Sequence, residues 1–164
     1  EKGIIEYLKA SISIAKIFPK TKFLVLGSQE SLNNPGRISS NYLSRLLNNK
    51  NIEWINNGDV YSYLKSSSVF VLPSYREGYP RSTQEAMALG KPIITTNVPG
   101  CKETIINNKN GIIVRPGSVE EIENAMKFFI KNPKLITKMG YESFLIAKAK
   151  FSAEIFNKKL LDEM

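Results

Sequence analysis

The chain has 164 residues, 42% of them apolar and 23% charged, which suits a globular domain with its own core and excludes a disordered or collagen-like chain. Lys and Arg number 23 against 15 acids, for a net charge of +8, and there is one Cys and no His. That balance admits anionic partners, excludes an intrachain disulfide framework, and removes the usual general base and the commonest metal ligand.

Residues 2–18 predict a first helix, with Ile5, Leu8, Ile12 and Ala15 on one face and Pro19 ending it. Residues 22–26 read as a short apolar strand, followed by a loop that takes in Asn33-Asn34-Pro35-Gly36 over 32–40. A second helix is predicted over 40–47 and a second strand over 52–55. Asp59 is the N-cap of a short helix reaching Lys65. The β-branched run 69–72 reads as a fully buried strand. A loop rich in Gly, Pro, Ser and Arg leaves it and enters a short helix. There Ser82 and Glu85 have capping-box spacing and Gly90 marks the C-terminal stop. Another strand spans 92–96, and a Pro-Gly turn follows at Val98-Pro99-Gly100-Cys101. A helical piece is predicted over 102–106, a polar turn over 107–111 and a strand over 112–114. Residues 118–131 form a helix with Val119, Ile122, Ala125 and Phe129 inward, and Asn132-Pro133 breaks it. Two or three further helices fill the remainder. The alternation of strand and helix predicts an α/β fold, a Rossmann-like parallel sheet with helices on both faces.

The chemistry concentrates between the strand at 69–72 and the helix that ends at Leu89. Glu77 and Glu85 flank a loop that enters a helix N-terminus, where backbone N–H groups with partial positive charge suit a phosphate. From spacing alone, Glu85 is equally a helix cap or a ligand-binding acid, and Glu77 is either a solvated loop acid or a site residue. Glu77 directly follows a strand's C-terminal end, which favours the site, because ligands of such sheets bind there.

The E-x7-E pair around Gly78-Tyr79-Pro80, followed by Ala86-Met87-Ala88 and Gly90-Lys91-Pro92-Ile93-Ile94, resembles the donor-binding half of the GT-B glycosyltransferases of family 4. Those are retaining enzymes that use nucleotide-sugars. The resemblance covers almost the whole chain. Lys2-Gly3 matches the Lys-Gly that opens the first helix of the family's donor domain. It implies a single nucleotide-sugar-binding domain over 1–164, the C-terminal half of a GT-B enzyme whose acceptor domain precedes it. On this resemblance Glu77 is the catalytic-site acid at the sugar ring and Glu85 holds the ribose hydroxyls, since carboxylates accept hydrogen bonds from hydroxyls. Lys2 matches the diphosphate-binding Lys; the alternative is a frayed terminal lysine.

Gly78 lets the backbone approach a ligand closely, and Tyr79, Arg81 and Ser82 supply backbone N–H groups that Pro80 lacks. The Arg81 side chain meets either phosphate or solvent, and Tyr75 and Tyr79 either line the sugar pocket or pack. No G-x-G-x-x-G follows the first strand, which sets aside a dinucleotide-dependent oxidoreductase. A non-catalytic sugar-nucleotide-binding or regulatory module stays as the alternative to a transferase donor domain.

The implied donor is a nucleotide-sugar, by family default a UDP-sugar. The implied acceptor is a glycan or lipid-linked glycan of surface polysaccharide or glycoconjugate synthesis. The turn at Val98-Pro99-Gly100-Cys101-Lys102-Glu103 is similar to that of bacterial enzymes that extend lipid-linked glycans. No cofactor and no metal are expected. The lysines at 127, 131, 134, 138, 148 and 150 read as solvated helix faces, and no nucleic-acid signature accompanies them. The single cysteine fits a reducing cytoplasm and no signal peptide appears, so a cytoplasmic protein is expected, and the resemblance implies peripheral association of the full-length protein at the inner face of the membrane.

Overall fold

A computed structural model describes residues 1–27 and 40–151. Its order is α1 (Ile4–Ile17), β1 (Phe23–Leu26), α2 (Ser40–Leu47), β2 (Ile52–Ile55), α3 (Val60–Ser66), β3 (Phe70–Leu72), α4 (Arg81–Ala88), β4 (Ile93–Thr96), β5 (Gly111–Val114), α5 (Val119–Lys131) and α6 (Pro133–Phe151). All strand pairs are parallel. β1 pairs with β2, placing Phe23 opposite Ile52. β4 lies between β3 and β5, with Ile93 opposite both Phe70 and Gly111. The hydrogen-bonded ladder is interrupted between these two groups. A shared core bridges the gap, because Val69 and Val71 pack in the same cluster as Phe23 and Val25.

Alternation along the strands assigns the two faces. Ile94 and Val114 belong to the core that holds Leu8, Ile14, Ile122 and Phe129, so α1 and α5 cover that face. Ile93, with Phe70 and Ile113, belongs to a second core that holds Ala86, Met87, Ile146 and Ala147, so α4 and α6 cover the other. The α/β architecture with helices on both faces is therefore present.

Several local expectations change. The strand at 69–72 is half-buried rather than fully buried, because β3 has ladder bonds only to β4, whereas all four residues of β4 are buried. The Ser82–Glu85 capping box does not form. Pro80 is the N-cap, the helix begins at Arg81, and Ser82 is already inside the first turn. Residues 102–106 form no helix; a turn stands there, closed by the Thr104 hydroxyl donating to the Cys101 carbonyl at 2.6 Å. Of the two or three helices expected after residue 132, the described residues hold one of 19 residues that runs to Phe151, and Pro133 opens it at a position where its missing N–H costs nothing. Its inner face carries Gly140, Ser143 and Ala147, which lets α6 lie close: a Cβ on Gly140 would come within 2.1 Å of the Gly90 carbonyl oxygen. The loop predicted over 32–40 falls almost wholly outside the described residues, as do the positions after 151.

Candidate functional site

The site forms where β3 ends, and Pro73 there is met by the start of α1. Gly3 has φ +68°, and a Cβ on it would collide with the Pro73 carbonyl at 2.1 Å. The contact is reinforced by the Tyr75 N–H donating to the Glu1 carbonyl at 2.8 Å. This docking carries Lys2 to Glu77 across 75 residues of sequence: the ammonium donates to the Glu77 carboxylate at 2.6 Å. The same oxygen accepts from the buried Ser74 hydroxyl at 2.8 Å. The Glu77 side chain is 9% exposed and that of Lys2 59%. Lys2 is thus no frayed end, yet one partner stands largely in water, so the pair is worth only about 0.2–1 kcal/mol and an incoming ligand can open it.

Behind this loop lies the turn at Gly100, whose φ is +85°. A Cβ there would meet the Gly78 and Glu77 carbonyl oxygens at 2.2 and 2.4 Å, so the Glu77–Gly78 backbone rests directly on the turn. Glu103 closes the turn by accepting from the Gly100 N–H at 2.7 Å. Gly78 is different. It has no left-handed φ, and a Cβ on it would meet nothing within 4 Å. Nothing in the fold requires glycine at 78, and open space lies before it.

The loop then enters α4. Its first N–H groups, including those of Arg81 and Ser82, have no acceptor within the helix. The side chains of Arg81 and Glu85 are exposed, and neither is tied to a partner among the described residues. Glu77 and Glu85 therefore differ in state: the first is clamped, the second free.

Of the two alternatives for the tyrosines, lining the sugar pocket or packing, both side chains make contacts within the protein. The Tyr75 hydroxyl donates to Glu6 at 2.9 Å; burial first, then that acceptor, raises its phenol pKa. The Tyr79 ring packs edge-on against Phe151 at 5.6 Å, and burial, then the negative field of Glu103, raises its phenol. Sequence reading missed Ser74, Gly100 and Phe151. Gly100 alone left a signal, in its Pro-Gly turn.

No group of three or more possible metal ligands occurs among the described residues, and no described helix is long and apolar enough to cross a membrane.

Comparisons with known proteins give the family and the fold. The family model "Glycosyl transferases group 1" matches residues 1–144. The capsular polysaccharide biosynthesis glycosyltransferase CapM of Staphylococcus aureus is 34% identical over 161 residues, covering 98% of this chain and 42% of its own. The N,N'-diacetylbacillosaminyl-diphospho-undecaprenol alpha-1,3-N-acetylgalactosaminyltransferase of Campylobacter jejuni is 27% identical over 135 residues, covering 82% of this chain and 34% of its own. The structure of HepE from Anabaena in complex with UDP superposes with a TM-score of 0.86 at 19% identity, over 99% of this chain and 44% of that one. This chain thus spans about two fifths of the length of the curated relatives it matches. It has the fold of the GT-B enzymes, and it belongs to the group 1 glycosyltransferase family.

Proposed function

We propose that this chain is the donor-binding domain of a retaining transferase. It binds a UDP-sugar, and the whole protein passes the hexose to a glycan or lipid-linked acceptor in surface polysaccharide or glycoconjugate synthesis. The observation that carries the reading is the convergence of Lys2 and Glu77 at the C-terminal end of β3, beside the open N-terminus of α4. Similarity to CapM and to a transferase acting on an undecaprenol-linked substrate supports the process and the acceptor class. The fold shared with a UDP-bound structure supports the donor class.

In this reading the diphosphate takes the Lys2 ammonium and the first N–H groups of α4, Arg81 and Ser82 among them. Lys2 leaves Glu77 as it does so. Glu77 stays held by Ser74 and faces the sugar in the open space before Gly78, with Tyr79 at the rim. Glu85, unpaired on the outer surface of α4, accepts both ribose hydroxyls. The charge of the diphosphate is met without a divalent ion. Calorimetric titration of UDP into the chain, with and without EDTA, tests this: one isotherm is expected in both. Binding abolished by the chelator would overturn the metal-free site, and no binding in either would overturn the donor reading.

A further inference from the structure

α6 carries four lysines and a single acid, Glu142, which is drawn aside to Lys109 at 3.4 Å. Its inner face is fully committed: Met139, Gly140, Ser143, Ile146 and Ala147 are buried, and the Ser143 hydroxyl donates to the Asn110 carbonyl at 3.1 Å. The outer face is a different surface. Lys134, Lys138, Tyr141, Leu145 and Lys148 recur at helical spacing on one stripe, and all are exposed. Tyr141 is 61% exposed, Leu145 39%, and Phe144 beside them 41%. No acid interrupts the stripe.

Exposed aromatic rings and a leucine are here interleaved with lysines whose charge no acid on the stripe offsets. They match one environment, the headgroup region of an anionic bilayer, where aromatic rings sit at the polar boundary and ammonium groups meet lipid phosphate. The helix is about 28 Å long at 1.5 Å per residue. Its far end, Phe151, touches Tyr79 in the candidate donor loop. A bilayer lying along α6 therefore brings that loop to the membrane edge. Next to the stripe, Tyr141 and Phe144 rim a hollow of about 540 Å³ that Lys91 also lines. The Lys91 ammonium already donates to the Lys65 and Ser67 carbonyls at 2.7 and 2.6 Å, so the exposed stripe carries the charge available to lipid.

We propose that the outer face of α6 docks on an anionic lipid surface, with Lys134, Lys138 and Lys148 meeting headgroups and Tyr141 and Leu145 entering between them. The proposal rests on the lipid-linked acceptor suggested above only for its purpose, and its test stands apart from donor binding. The full chain is sedimented with phosphatidylglycerol or phosphatidylcholine vesicles. Binding to the first, lost at high salt, and little binding to the second are expected. The combined Lys134→Gln, Lys138→Gln and Lys148→Gln variant should lower partition on the order of 100-fold. Tyr141→Ala with Leu145→Ala should lower it about tenfold. Both variants change exposed residues, and calorimetry should find their UDP affinity unaltered. Equal partition of the triple variant and the parent would overturn the proposal, as would equal binding to both vesicles. So would a lipid-free dimer that the same substitutions split, which would assign the face to a second copy. If UDP fails to bind while vesicle binding holds, the donor reading falls and the docking surface stands.

Discussion

Glu77 and Glu85 are the same residue type in two states. Glu77 is gripped by Lys2 and Ser74, while Glu85 stands free on α4. Their proposed roles separate accordingly. Glu85→Gln should weaken UDP binding by about 1–3 kcal/mol, the range for charge-assisted hydrogen bonds, with the melting temperature unmoved. Glu77→Ala should depress turnover of the whole enzyme while UDP still binds. Calorimetry beside a transfer assay reads both, and the opposite pattern would exchange the two roles. Tyr7 makes a pH prediction. Its hydroxyl donates to the Leu24 carbonyl at 3.1 Å, its ring packs edge-on to Phe23, and burial pushes the phenol up to about 12 from an ordinary 10. Below pH 10 the phenol is neutral whether folded or unfolded, so stability is complete there. As pH rises from 10 to 12 the unfolded chain releases the proton first. Stability should therefore fall by on the order of 2–3 kcal/mol across that window. Thermal melts in alkaline buffers should show this loss, and Tyr7→Phe should remove it.

At the scale of elements, the turn after β4 and the loop after β3 behave as one unit. Gly100 at φ +85° sits against the Glu77 and Gly78 carbonyls, so Gly100→Ala meets both an unfavourable backbone and a collision. A loss of about 1–2 kcal/mol of stability is expected. Because the displaced peptide leads into α4, whose first N–H groups are proposed to meet the diphosphate, UDP affinity should fall as well. A lowered melting temperature with unchanged affinity would show that the turn supports the fold alone. The chain also offers one motif in two contexts. Ser82–Glu85 and Ser118–Glu121 share the same spacing, yet only Ser118 caps, accepting from the Glu121 N–H at 3.2 Å. Its helix partner Glu121 turns to the Arg115 N–H at 2.6 Å, which, ahead of the Arg115 side chain, lowers its carboxyl pKa. The Arg115–Gly117 turn, with Gly117 at φ +77°, delivers Ser118 to the cap position. Pro80, with φ already at −65°, starts α4 before Ser82 can serve.

For the whole molecule, two faces of one strand set separate two cores, and the site stands at the strand ends between them. The relatives are more than twice as long as the matched region. In the proposed reading the acceptor binds beyond that region, and closure of the two parts supplies proximity and excludes water. This chain alone should therefore bind UDP-sugar without transferring it. A radiolabel assay on these residues measures that, and sustained turnover would place the acceptor machinery within them.

The alternation of apolar runs with amphipathic helices was enough to establish the parallel α/β class. The E-x7-E loop with its flanking strands was enough to locate the family. Both depend on local periodicity and spacing, which a linear chain displays. The pairing of Lys2 with Glu77, the support of Gly78 by Gly100 and the meeting of Tyr79 with Phe151 lie far apart along the chain. The break in the ladder between the β1–β2 pair and the β3–β4–β5 group is likewise invisible in local sequence. Only packing brings such residues to one place, because each contact depends on how several helices stack on two faces at once. The choice between two identical capping motifs was likewise decided by what preceded each serine in space. The lysine stripe of α6 became a surface for the same reason: the opposite side of that helix was taken up by the core.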